Sequence, residues 1–266
     1  MATPLLLERA GPVATITLNR PESLNTLDFP LMDALIEAAA DVANDNALRV
    51  VVVRGAGKHF MAGGDLHTFA AELKKPAAQR DADFRQLIGR LHSAIEAFHR
   101  MPHPVVGCVQ GAVAGFGLSL MNACDLVVAA DNTYFSSAYR NIALTPDGGG
   151  SWSLPRLVGT RRAMEIMLLA ERFDVQQALA WGLVNRVVPL AELDAAVARL
   201  VASLTTGPLL AIRNTKRLVR ESLARSLSEQ LDAEAVSFGA CAATPDFAEG
   251  ITAFLEKRPA QFGRTE

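Results

Sequence analysis

The sequence predicts an α/β fold, a core of strands alternating with helices followed by a helical region. Two observations predict it. The segment LRVVVVRG is nearly all apolar, as expected of a strand buried on both faces between parallel neighbours, and similar strands recur between stretches of helical spacing. The pattern then changes from about Arg161, and nearly everything after Leu190 reads as helix. These boundaries divide the chain into an α/β core over residues 1–195 and a helical C-terminal region over 196–266.

The elements follow in order. LLLER and VATITL are strand-like and joined by Ala10-Gly11-Pro12, which predicts a hairpin. Asp28 precedes Phe29-Pro30 and a segment with Leu31, Leu35, Ile36 and Val42 at helical spacing, so it is placed to cap that helix. After LRVVVVRG, the residues Phe84, Leu87, Ile88, Leu91, Ala94, Ile95 and Phe98 line one face of a long helix. Phe84, Leu87, Ile88 and Leu91 are expected in the core rather than on a pocket wall. PVVGCVQG is the next strand, Gly115 to Cys124 the next helix and DLVVAAD the strand after it. TRRAMEIMLLAERF and DVQQALAWG read as helices and VNRVVP as a short strand, while Pro208, Gly239 and Pro245 punctuate the tail.

Composition narrows the function. The chain has 266 residues, 50% hydrophobic and 20% charged, with a formal net charge of −2. That balance suits a globular protein with a sizeable core and gives no electrostatic reason to expect nucleic acid or an anionic membrane as partner. No apolar run approaches the roughly 20 residues that span a bilayer, and MATPLLLERAG lacks a basic leader region, so a cytoplasmic location is expected. The three cysteines form no Cys-x-x-Cys pair; Cys108 and Cys124 sit in apolar stretches as small buried hydrophobes. The five histidines are scattered, and His92 and His99 stand too far apart on their helix to chelate as a one-turn pair. No metal site is expected.

Three segments carry candidate chemistry. In Ala62-Gly63-Gly64-Asp65 the glycines permit torsions that aim an N–H into a pocket, although a loop requiring positive φ accounts for the same residues. Gly111-x-x-x-Gly115-x-Gly117 lies between a strand and a helix and is not the dinucleotide fingerprint. It offers either free N–H groups at a helix start or close helix–sheet packing. Asp147 heads Pro146-Asp147-Gly148-Gly149-Gly150; a surface turn explains Pro-Asp-Gly, but three glycines exceed what a turn requires. Two backbone donors and one acid/base group would suffice for proton transfer next to a carbonyl.

Taken together, VATITLNRP, FMAGGDL, Pro104 to Asp131, Phe135 to Gly159, Ala178 to Val188 and DFAEGITAFLEKRPAQF resemble the crotonase, or enoyl-CoA hydratase/isomerase, superfamily over nearly the whole chain. The resemblance implies a crotonase-type spiral of ββα units with a helical C-terminal trimerisation region, assembled as a homotrimer or dimer of trimers. It implies an acyl-CoA thioester as substrate and no cofactor, CoA being part of the substrate. Residue by residue, it places an oxyanion hole at the N–H groups of Gly64 and Phe116, the latter where many relatives have glycine. Ala62, Gly63, Asp65, Leu66, Gly115, Ser119 and Tyr139 would border the substrate. Phe254 and Lys257 would lie near the CoA nucleotide, often that of a neighbouring subunit.

The departure from the family pattern is informative. Typical hydratases carry two glutamates where this chain has Ser119 and Tyr139, and neither replacement is a carboxylate base near neutral pH. Asp147 instead matches an aspartate of the family's isomerases, and PDGGGSW is similar to the ring-opening isomerases of bacterial phenylacetate degradation. The implied activity is isomerisation, a double-bond shift or the opening of a ring epoxide, through an enolate with Asp147 as proton shuttle. An apolar pocket would raise the Asp147 pKa by desolvation. A hydratase using unfamiliar residues, a thioester hydrolase or dehalogenase, and a non-catalytic acyl-CoA-binding subunit are the alternatives.

Overall fold

The computed structural model describes residues 3–263. The hairpin is formed by β1 (Leu5–Ala10) and β2 (Val13–Leu18), antiparallel, with Ala10 opposite Val13. Asp28 caps α1 (Phe29–Asn44) by accepting a hydrogen bond from the Leu31 N–H at 2.9 Å. The chain continues through β3 (Val50–Gly55), α2 (Leu66–Glu72) and the long α3 (Ala77–Arg100). Next come β4 (Val105–Val109), β5 (Ala112–Ala114) and α4 (Phe116–Ala123), then β6 (Leu126–Ala130), β7 (Tyr134–Ser136), α5 (Gly150–Val158) and α6 (Thr160–Leu169). After them lie β8 (Phe173–Asp174), α7 (Val175–Ala180) and β9 (Arg186–Val188). Four helices finish the chain: α8 (Leu193–Thr206), α9 (Leu209–Glu221), α10 (Leu227–Ala242) and α11 (Pro245–Leu255).

The main sheet has the order β1-β2-β3-β4-β6-β9, parallel except for β1, and a smaller sheet has the order β5-β7-β8. Later turns of the spiral leave a main-sheet strand, contribute a short strand to the smaller sheet and return through a helix, as in β4-β5-α4, whereas β2 and β3 lead to their helices without one. The apolar run of β3 follows from its neighbours. Val51 and Val53 enter one core with Ile16, Leu31, Leu91 and Phe98, while Val50 and Val52 enter a second with Val106, Val128 and residues of α8. Period-two alternation therefore meets apolar partners on both faces.

Three expectations are refined. The strands β5, β7 and β8 are only two or three residues long and were not separable in the sequence from the turns around them. The helix read through Phe173 ends at Leu169, because Ala170 turns left-handed (φ 54°) and Phe173 pairs with Phe135 of β7. The division expected between residues 195 and 196 falls inside α8, whose Leu193, Ala196 and Val197 are buried against the second core. Cys108 and Cys124 are buried, and desolvation pushes their thiols up to about 11 and about 12. Among the described residues no single helix is long and apolar enough to cross a membrane, and no group of side chains is arranged to hold a metal.

Helix α9 is fastened to the core by a partly buried charge cluster. Asp125 accepts from the Val105 N–H at 2.7 Å and pairs with Lys216 at 2.7 Å and Arg220 at 2.7 Å. Lys216, its side chain only 6% exposed, also donates to the carbonyl of His103 at 2.7 Å. Removing the carboxylate strands a buried ammonium. Asp125→Ala is expected to lower the unfolding free energy by about 3 kcal/mol, read from urea denaturation; an unchanged midpoint would refute the cluster's importance. His103 itself is fully buried, and desolvation lowers its pKa to about 4. The unfolded imidazole takes up a proton near pH 6.5 but the folded one does not. Stability is thus complete above about pH 6.5 and falls towards pH 4 by about 3 kcal/mol, a loss that His103→Phe should reduce in the same titration.

Candidate active site

Two short segments are laid side by side beyond the ends of β3 and β4. The Met61 N–H donates to the Ala112 carbonyl at 3.1 Å, and the Ala114 N–H donates to the Met61 carbonyl at 2.9 Å. This isolated parallel rung carries the chain into Gly63 on one side and Gly115 on the other. The two glycines pack backbone to backbone: a Cβ on Gly115 would stand 3.3 Å from the Gly63 Cα. Gly117 serves packing, since a Cβ there would meet the Met61 carbonyl oxygen at 2.4 Å. Close approach therefore explains Gly117, and the turn into α4 explains Gly115 (φ 52°).

The donors follow from this arrangement. The Leu27 N–H donates to the Gly63 carbonyl at 2.8 Å and the Asp65 N–H to the Leu27 carbonyl at 3.0 Å, so the intervening Gly64 N–H lies outside that pairing. Phe116 is the first residue of α4, where helix N–H groups have no partner one turn back. Among the described residues neither the Gly64 nor the Phe116 N–H donates a hydrogen bond to the protein. Both residues line an apolar cavity of about 450 Å³.

Asp147 lines the same cavity. Its loop is tied down at three points: the Ser119 hydroxyl donates to the Asp147 carbonyl at 2.8 Å, the Tyr139 hydroxyl donates to the Asp147 carboxylate, and the Gly148 N–H donates to His92 Nε2 at 3.2 Å. Gly148 and Gly149 are both left-handed (φ 57° and 73°), which is what the glycine run supplies. Burial raises the Asp147 pKa above the ordinary aspartate range, with the Tyr139 hydrogen bond and the nearby His92 imidazole opposing it. Burial also raises the Tyr139 phenol, as does the adjacent carboxylate, so its hydroxyl remains a donor. The other carboxylate on the cavity wall, Asp28, is committed to capping α1 and to Arg20 at 3.1 Å.

The remaining sequence candidates divide. Ala62, Gly63, Leu66, Gly115 and Tyr139 line the cavity with Gly64, Phe116 and Asp147. Asp65 does not: it caps α2 through the His67 and Thr68 N–H groups and pairs with Arg20 at 3.2 Å. Desolvation would raise its pKa, but Arg20 and the two amides bring it below the usual range. Ser119 lies behind the loop, 3% exposed. Phe254 and Lys257 sit on the exposed end of α11, away from this chain's own cavity.

Two features were read only in part from sequence. Leu91 is in the core as expected and Leu87 and Ile88 pack against it, but all three, with Phe84, also border the cavity, where Phe84 packs edge-on to Phe69 of α2. His92, dismissed as a scattered histidine, is a cavity residue bonded to the Asp147 loop. Its position one helical turn after Ile88 was the available signal.

Comparison with known proteins shows the family. Residues 8–265 match the enoyl-CoA hydratase/isomerase family. The chain is 33% identical over 250 residues to the 1,2-epoxyphenylacetyl-CoA isomerase of Escherichia coli (strain K12), covering 94% of each protein. It is equally 33% identical over 259 residues to the crotonyl-CoA hydratase of Syntrophomonas wolfei, covering 97% of each. The crystal structure of an enoyl-CoA hydratase from Polaromonas sp. JS666 superposes with a TM-score of 0.89 at 35% identity, over 97% of this chain and 99% of that one. Relatives of similar identity thus bear both isomerase and hydratase names, and on the strength of a match that runs nearly end to end, this chain belongs to the enoyl-CoA hydratase/isomerase family.

Proposed function

We propose that the protein is an acyl-CoA isomerase that shifts a double bond in an enoyl thioester, with Asp147 as the proton shuttle. The observation that carries this reading is that, among the described residues, Asp147 is the one carboxylate on the wall of an apolar cavity that neither caps a helix nor pairs with a cation, and the same wall presents two acceptor-free main-chain N–H groups. With the thioester oxygen of a 3-enoyl-CoA between the N–H groups of Gly64 and Phe116, the Asp147 carboxylate removes an α-proton. The C–H electron pair forms the double bond between the carbonyl carbon and the α-carbon of a dienolate, while the carbonyl π pair moves onto the thioester oxygen as its negative charge and the β,γ double bond stays in place. Return of the proton at the γ-carbon moves the double bond into conjugation and restores the carboxylate. The reaction has no net gain of water, so one base that reaches both carbons suffices, and no cofactor beyond the substrate's own CoA is required. Each oxyanion donor is worth roughly 2.7–4 kcal/mol in a transition state of this kind.

Hydration is disfavoured by the same residues. It needs one group to activate water and another to protonate the α-carbon, yet Ser119 is turned to a main-chain carbonyl and Tyr139 is a neutral phenol donating to Asp147. The isomerase name of the Escherichia coli relative supports this direction. We further assign the exposed apolar residues of the C-terminal helices, among them Leu227, Phe238 and Phe254, to contacts between subunits of a homotrimer or dimer of trimers. In that assembly Phe254 and Lys257 would serve the CoA nucleotide of a neighbour, and the protein would work in the cytoplasm.

Asp147→Asn is expected to reduce kcat on a 3-enoyl-CoA by at least about a hundredfold with little change in CoA-ester affinity. Near-wild-type turnover in that variant would remove Asp147 from the mechanism. Crotonyl-CoA hydration and release of free CoA thiol, measured alongside, should both stay far below isomerisation; dominance of either would overturn the assignment. The base must be ionised, so kcat should fall as pH drops through a limb above the ordinary aspartate range. Tyr139→Phe removes a hydrogen bond that favours the carboxylate and should move that limb to higher pH, with a smaller loss at its optimum than Asp147→Asn. A limb that stays in place would show that the phenol does not act on the base.

A further inference from the structure

We infer that His92 is a positioning residue for the Asp147 base, an assignment that rests on the proton-shuttle reading above and adds a requirement to it. The Asp147 loop passes through two consecutive left-handed glycines and closes on itself through the Gly150 N–H, which donates to the Asp147 carbonyl at 3.0 Å. Its aim is set from outside. Ser119 of α4 holds the Asp147 carbonyl, Tyr139 holds one carboxylate oxygen, and His92 of α3 holds the next amide by accepting the Gly148 N–H at Nε2, 3.2 Å away. The imidazole bond holds the first amide after the base, whereas the Gly149 carbonyl beyond it accepts from the Trp152 and Ser153 N–H groups at the start of α5. Without it, a part-buried N–H loses its acceptor, and the loop must turn to find another.

The bond also defines what His92 does not do. In the neutral ring an accepting Nε2 places the proton on Nδ1, and an Nε2 occupied by an amide is not free to take a proton from substrate. His92 therefore acts through Asp147. It also links the base to the acyl wall. Ile88 and Leu91, one turn and one residue before it, line the same cavity on the same 24-residue helix. The surface that seats the acyl group and the anchor that aims the base thus move as one rigid element, which holds the α- and γ-carbons in register with the carboxylate.

The test compares His92→Leu, which removes the acceptor, with His92→Gln, whose side-chain carbonyl can reach the position of Nε2. With 3-hexenoyl-CoA, His92→Leu should lose roughly tenfold to a hundredfold in kcat with KM within about twofold. His92→Gln should recover to within about threefold of wild type. Amide hydrogen exchange, which needs no turnover, should show faster exchange at Gly148 to Gly150 in His92→Leu and near-wild-type protection in His92→Gln. Unchanged kcat and protection in His92→Leu, equal losses in both variants, or a loss confined to KM would each overturn the assignment. Asp147→Asn run in parallel separates the two readings. Retained turnover there sinks the proton shuttle, whereas loss there beside an unaffected His92→Leu sinks only the role of His92.

Discussion

Two hydrogen bonds from the main chain of Met61 hold the Gly63-Gly64 turn against the Gly115-Phe116 turn, and the site depends on that pairing. The partner segments come from different turns of the spiral, one after β3 and one after β4, which are adjacent strands of the main sheet. The rung is flanked by a close approach of the Met61 carbonyl to Gly117 that leaves no room for a side chain there. An unpaired N–H in an apolar cavity costs about 1–3 kcal/mol, so two such groups persist only where neighbouring bonds overdetermine the backbone. The bonds around Gly64 and the start of α4 provide that restraint. The cost is relieved when an oxygen with growing negative charge takes the place.

The second half of the site is organised around one acid. Typical hydratases keep carboxylates at the positions of Ser119 and Tyr139, and here both residues are turned to holding a third position. The serine hydroxyl fixes the Asp147 carbonyl and the phenol orients its carboxylate. Desolvation then raises the carboxyl pKa while the phenol restrains the rise. A carboxylate raised by burial and restrained by a hydrogen bond is what the proposed proton transfer asks of its base. In the proposed reaction, one acid acting twice takes the place of two acids acting on water.

Around the site, two helices combine structural and functional duties. Helix α3 buries its second half in the core through Leu91, Ala94 and Phe98 and presents its first half to the cavity. Helix α9 is drawn onto the start of β4 and the turn between α4 and β6 by the Asp125, Lys216 and Arg220 cluster, so the C-terminal helices are anchored at the C-terminal end of the helix that Phe116 begins. Their outer faces retain apolar residues such as Phe238 and Leu255.

The sequence by itself determined the regular elements and the family. Its hairpin, the Asp28 cap, the all-apolar β3 and the helical tail were legible because each rests on local chemistry: turn residues, a capping carboxylate or a periodicity. The acid and both donors were named from the glycine runs and the resemblance they carry, and all three line one cavity. Tertiary structure alone decided the rest. Gly115 and Gly117 look alike in the sequence, yet one turns the chain and the other admits a carbonyl. Asp65 reads as a site residue until Arg20, 45 positions earlier, claims it. The stripe of α3 gives its period without saying which part meets core and which meets cavity, and His92 gains its role only from Gly148, 56 residues away. Local sequence sets what a residue can do, but its partner across the fold decides which of those things it does.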